Sequence, residues 1–174
     1  MDQTFSKQVR VLAVALTARG FGYCVTEAGK ILECGYRGVK GDKNLHSVSK
    51  IERLSTRFLP SVLVLQDVNA KGCHRAPRIK ALHRQVIKLA AKQNCKIKLY
   101  SGNVLRISLL ADAKGTKHEM AQMLAKKFPV ELAGKLPPKR RSWDNETGRM
   151  DMFDAVGLAA VFALNFKPKT PASF

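Results

Sequence analysis

Acidic residues are scarce in this sequence. Its 174 residues carry 13 aspartates and glutamates against 31 lysines and arginines, a formal net charge of +18. Such a field repels itself far beyond what solubility requires, and it calls for a polyanionic partner, nucleic acid first and an acidic membrane surface second. Long apolar runs are missing as well. The longest uncharged stretch, 155–166, is far short of the roughly 20 residues that span a bilayer. The first residues do not read as a secretory leader, because Asp2 sits at the start and the apolar piece VLAVAL (11–16) is brief and lacks a small-residue cleavage pattern. A cytoplasmic, nucleoid-associated location is the expectation. The cysteines, Cys24, Cys34, Cys73 and Cys95, form no C-x-x-C pair, which excludes a zinc knuckle or a redox motif and suits reduced, packed thiols. His74 is adjacent to Cys73 rather than spaced to chelate with it. Repeats and low-complexity arrays are absent, and aromatic residues are few, with a single tryptophan.

A hydrophobic fraction of 45% fills one core at this length, so a single domain is expected over 1–166 with a flexible tail at 167–174. VRVLAVAL (9–16) reads as a strand covered on both faces. GFGYCVTE (20–27) and ILECGYRG (31–38) follow across tight links, the second alternating apolar with polar residues. Val48, Ile51, Leu54 and Phe58 give helical spacing within 46–60, and SVLVLQDV (61–68) is a further buried strand. The clearest helix is 77–93, with Pro77 in its first turn and Ile79, Leu82, Val86 and Leu89 on one face. KIKLY (96–100) is a strand, 102–110 a short helix, and Thr116 with Glu119 a capping box for the next helix. A loop, 131–148, leads to the closing helix. This order of elements describes a mixed α/β sheet of five strands, the first three antiparallel, flanked by helices, as in the RNase H-like fold.

The closing segment RMDMFDAVGLAAVFAL (149–164) opens with Asp151 and Asp154. Three-residue spacing puts both carboxylates on one helix face, the face continued by Ala155, Leu158 and Phe162. Two readings follow. Either the acids sit near a helix start and are stabilised by its macrodipole, or they are buried together around a cation.

Three segments resemble the Holliday-junction resolvases of the RuvC type. ALTARGFGYCV (15–25) resembles that family's first hairpin, with Arg19, Gly22, Tyr23 and Val25 matching. PSVLVLQDVNAKG (60–72) is similar to its fourth strand and the basic loop that follows, and RMDMFDAVGLAAVFA (149–163) looks like its closing D-x-x-D-A helix. The resemblance implies the RNase H-like fold, a two-fold homodimer, branched DNA as partner, and four carboxylates holding two Mg²⁺ or Mn²⁺ ions for phosphodiester cleavage. It departs at the acids themselves. Ala15 stands where the family has its first-strand aspartate, and Gln66 where it has its fourth-strand glutamate. Asp151 and Asp154 remain as metal ligands, and Asp67, next to Gln66, joins them only if a bulge or register change turns it inward. Glu27 and Asp112 have no spacing that recommends them. At most one weakly held ion is expected, with cleavage weak or lost.

The resemblance also marks the basic residues. Lys71, Arg75 and Arg78 follow the fourth strand, while Lys114 and Lys117 resemble the lysines that approach the scissile phosphate, so that Lys117 joins Asp67, Asp151 and Asp154 as a candidate catalytic group. Arg19, Lys139, Arg140 and Arg141 extend the positive surface, giving salt-dependent binding largely blind to sequence. Trp143 in the basic loop either covers the core edge or stacks on an unpaired base. Three functions therefore stand at this stage: a junction-binding protein with little or no cleavage, an active endonuclease built on Asp67, Asp151 and Asp154, and a non-catalytic RNA-binding protein.

Overall fold

Alternation in the first strands fixes the layers. The computed structural model describes residues 8–166, and the expected tail at 167–174 lies outside them. β1 (Arg10–Leu16), β2 (Gly20–Glu27) and β3 (Lys30–Gly38) form an antiparallel meander, followed by α1 (Lys43–Phe58), β4 (Val62–Gln66), α2 (Pro77–Lys92) and β5 (Lys96–Tyr100). Helices α3 (Gly102–Leu110), α4 (Lys117–Lys127), α5 (Pro129–Leu132) and α6 (Gly148–Asn165) complete the chain. The five strands lie in the order β3-β2-β1-β4-β5, with β4 parallel to β1 and to β5. This is the mixed sheet expected from the sequence.

Successive residues of β1 point to opposite faces. Val11, Ala13 and Ala15 pack toward α3, α4 and α6, while Leu12, Val14 and Leu16 pack toward α1 and α2. Both faces are thereby covered, as the unbroken apolar run of β1 requires. Helix α6 is apolar around most of its circumference because it is buried from Met150 to Val161, apart from a partly buried Asp154. It lies against β1, β2 and β3.

Several boundaries depart from the sequence expectation. α1 begins three residues early because Asp42 accepts a hydrogen bond from the Leu45 amide at 3.1 Å, a polar N-cap that carries no apolar periodicity. Its end comes at Leu59, in the left-handed region at φ 49°, whose amide bonds the Ser55 carbonyl. β4 stops at Gln66 because Asp67 turns the chain, accepting from the Asn69 amide at 2.9 Å. The single turn α5 was not foreseen in the stretch read as a loop. The Thr116–Glu119 capping box forms as read, with bonds of 3.1 and 2.8 Å.

One close approach sets the position of α6. Gly22 of β2 lies directly under the Asp151 backbone, and a methyl group there would overlap the Asp151 carbonyl. Gly22→Ala therefore forces α6 off the sheet. Overpacking of this kind costs about 3 kcal/mol, and the expected loss is measured by urea unfolding of the variant against wild type.

Candidate functional site

Strand alternation gathers the site on the α6 side of the sheet. Ala15 belongs to that face, and Gln66 continues the face of Val62 and Val64 on β4. Ala15 pairs with Gly22, so the Gly22–Asp151 contact brings the start of α6 over the end of β1. Asp151 is fully buried, with a relative exposure of 0%. It also lies in the first turn of α6, so it combines the helix-start position of one reading with the burial of the other, with no side-chain cation bonded to it.

The Asp151 carboxyl is poorly served for an ion. Oδ2 lies 3.1 Å from the Thr17 hydroxyl, while Oδ1 is buried without a partner. Burial pushes its pKa up to about 6; the Thr17 bond opposes this, the Asp154 charge adds to it, and Arg19 and Lys117 oppose it. The same hydroxyl lies 3.1 Å from the Gly20 carbonyl, yet it has one hydrogen to give. When Asp151 is ionised, Thr17 donates to it. When Asp151 is protonated, the carboxyl donates to Thr17 and Thr17 donates to Gly20, satisfying the chain of groups.

Asp154 is paired instead. Lys117 Nζ donates to its Oδ2 at 3.1 Å and lies 3.4 Å from each oxygen of Glu146. Burial raises the Asp154 pKa and Lys117 opposes the rise, with Glu146 adding to it and Arg75 opposing it. For Lys117, burial works against the charge, but the attraction of Asp154 and then Glu146 outweighs it and the pKa is raised. Lys117 is the first residue of α4, where the macrodipole disfavours a cation. The two carboxylates offset that cost.

Arg75 supplies the second cation. Its guanidinium donates to Gln66 Oε1 at 2.7 Å and reaches the Leu16 carbonyl at 3.4 Å. Tyr36 closes the β3 side beneath Gly148, and its pKa is raised by burial and by the Asp151 charge, with Arg19 opposing. Glu146, Tyr36 and Thr17 were missed in the sequence. Glu146 is one acid in a polar loop, and no periodicity connects it to the helix that follows.

Asp67 is not brought into this cluster. β4 pairs with β1 and β5 without a register shift, so Asp67 falls on the face opposite Gln66, where its charge acts on His83 of α2 and one oxygen caps Asn69. The bulge or register change that would have turned Asp67 inward does not occur in β4. Glu27 pairs with Arg10 at 3.2 Å, and Asp112 caps the Lys114 amide at 2.9 Å. Both are committed elsewhere.

The basic candidates lie at the exposed mouth. Arg78 donates to Asn44 Oδ1 at 2.9 Å and to the Ala18 carbonyl at 3.1 Å, a carbonyl that Lys43 also reaches at 3.1 Å. Arg19, Lys71, Lys114, Lys139, Arg140 and Arg141 are exposed. Trp143 does not cover the core edge: it is 75% exposed, with the Arg141 guanidinium 5.7 Å from its ring centre.

A pair of divalent ions does not fit this donor set. A methyl group and a neutral amide stand at 15 and 66, the amide oxygen is held by a guanidinium, and the Asp154 and Glu146 carboxylates close on an ammonium. Among the described residues, no three histidine, cysteine, aspartate or glutamate side chains come together as a metal site. Magnesium demands near-octahedral oxygen ligation, and here two positive side chains stand beside the remaining acids.

No family model matches the sequence, and no curated protein sequence matches it. Solved structures do. RuvC of Thermus thermophilus superposes with a TM-score of 0.64 at 14% identity, over 89% of this chain and 93% of that one. The same protein in complex with a Holliday-junction substrate gives 0.66 at 14%, over 89% and 93%. The yeast mitochondrial Holliday-junction resolvase gives 0.58 at 17%, over 89% and 78%. The fold is that of RuvC. At these identities the likeness establishes the RuvC architecture, and the chemistry has to be argued from this chain's own residues.

The Asp151 environment gives a pH signature. The folded carboxyl keeps its proton up to about pH 6, against 3.8 for the ordinary group, so folded protein loses stability as pH rises through that window and stays at the lower level above it. Asp151→Asn, which cannot ionise, removes that slope. Its stability equals wild type near pH 4 and exceeds it by about 3 kcal/mol at pH 8, as followed by urea unfolding across the range.

Proposed function

We propose that this chain is a RuvC-fold protein that binds branched or structured DNA, Holliday-junction type, through the basic surface around the acid cluster, and that metal-dependent phosphodiester cleavage is weak or lost. The observation that carries the reading is the replacement of expected ion contacts by side-chain cations: Lys117 on Asp154 and Glu146, and Arg75 on Gln66. The surrounding Arg19, Lys71, Arg78, Lys114, Lys139, Arg140 and Arg141 support phosphate contact, which neutralises charge, releases counterions and positions the duplex without reading its sequence. The neighbouring structure of T. thermophilus RuvC in complex with a Holliday-junction substrate supports the branched partner. Shape then selects the substrate. A two-fold homodimer would set two such surfaces on opposite arms.

No chemical step is assigned to a metal here. Lys117 and Arg75 hold fixed positive charge at the mouth of the cluster, where a phosphodiester can be gripped without a divalent ion.

A gel-shift series comparing a four-way junction with linear duplex tests the binding. The junction is bound more tightly, the affinity is the same in Mg²⁺ and in EDTA, and it falls about a thousandfold between 50 and 200 mM salt. Equal affinity for junction and duplex at moderate salt defeats the branched-DNA reading, and tighter binding to structured RNA in competition replaces it. Restoring acids with Ala15→Asp and Gln66→Glu together is expected to yield Mg²⁺-dependent junction nicking absent from wild type. Robust nicking by wild type in Mg²⁺ or Mn²⁺ overturns the loss of cleavage.

A further inference from the structure

A cavity of about 640 Å³ opens beside the acid cluster, between the start of α4 and the loop leading into α6. Its size falls in the range of small-ligand sites, and two kinds of chemistry are segregated within it. Met150 and Pro137 are buried and form the floor with Pro138. Proline has no amide hydrogen to offer and its ring fixes φ, so this floor is rigid and apolar. The rim is different. Exposed Lys139 and Arg140 bring two positive side chains to the mouth, Asn145 adds an amide that both donates and accepts, and the two carboxylates that also line the cavity are engaged, Asp144 by the Arg141 amide and Glu146 by Lys117.

The loop that forms the cavity is held in shape. Asp144 accepts from the Arg141 amide at 3.1 Å, and Glu146 on one wall is tied through its salt bridge to Lys117 on the other. That salt bridge is also the boundary with Asp154, so the cavity and the acid cluster share Lys117.

We infer that this cavity takes a single unpaired nucleotide, its base against the Pro137–Pro138–Met150 floor and its phosphate on Lys139 and Arg140. The inference rests on the nucleic-acid reading above and deepens it, because it names the feature of a branched substrate that this chain grips. A flat aromatic ring with polar edges and a flanking anion matches an apolar floor, an amide and a cationic rim. A paired base is stacked inside its duplex and does not enter. Binding therefore favours substrates whose strands separate at a branch point, with no base-specific contact required.

The test uses the full chain and a four-way junction with 2-aminopurine at one branch-point position, beside a linear duplex with the same label. Binding of wild type changes the 2-aminopurine fluorescence in the junction and leaves it unchanged in the duplex. Asn145 is exposed, so Asn145→Leu fills the cavity without disturbing the core, which an unchanged melting curve verifies. That variant is expected to bind the junction about tenfold more weakly and to lose the fluorescence change, with duplex affinity preserved. Asn145→Trp fills more of the cavity and is expected to give the same loss of junction affinity and of the fluorescence change. Junction affinity and fluorescence change that are both untouched by either substitution overturn the cavity assignment and leave the DNA-binding reading standing. Absence of binding to any labelled nucleic acid by wild type overturns both.

Discussion

Helix α6 presses so closely on β2 that only a glycine hydrogen fits beneath the Asp151 carbonyl. From that contact the rest of the site follows. An apolar helix laid on the sheet buries its own first-turn carboxylate, and a buried carboxylate either finds positive charge or holds its proton. Below about pH 6 Asp151 takes the second course, with Thr17 and Gly20 completing a hydrogen-bond chain. Asp154, one turn on, takes the first.

The positive charge that meets Asp154 comes from the chain itself. Lys117 lies between Asp154 and Glu146, and Arg75 is anchored to the amide of Gln66. With Ala15 and Gln66 at the ends of β1 and β4, these cations offset the charge of the carboxylates beside them. A half-satisfied cluster costs more than an apolar one, and without Lys117 the Asp154 and Glu146 carboxylates would be left uncompensated. Exposed Arg19, Lys71 and Lys114 add to the positive charge of the surface.

Much of this was legible in the residues. The unbroken apolar run of β1, the periodicity of α2, the capping box of α4 and the apolar continuation of the Asp151–Asp154 face all report local physics that tertiary packing did not override. The boundaries of α1 and β4 were set instead by polar caps, Asp42 and Asp67. Asp67 shows the difficulty best: its nearness to Gln66 in sequence suggested a ligand, but strand geometry sends adjacent residues to opposite faces. Glu146 shows the converse. It reaches the cluster only because a loop folds back on α4, and no spacing records that.

Manganese binding decides whether side-chain cations have taken the place of metal. Electron paramagnetic resonance of Mn²⁺ titrated into the wild-type protein, with Asp154→Asn as reference, reads bound ion directly. Lys117 and Arg75 as resident cations predict the same unbound Mn²⁺ signal from both proteins. A stoichiometric site in wild type that disappears in Asp154→Asn would contradict it.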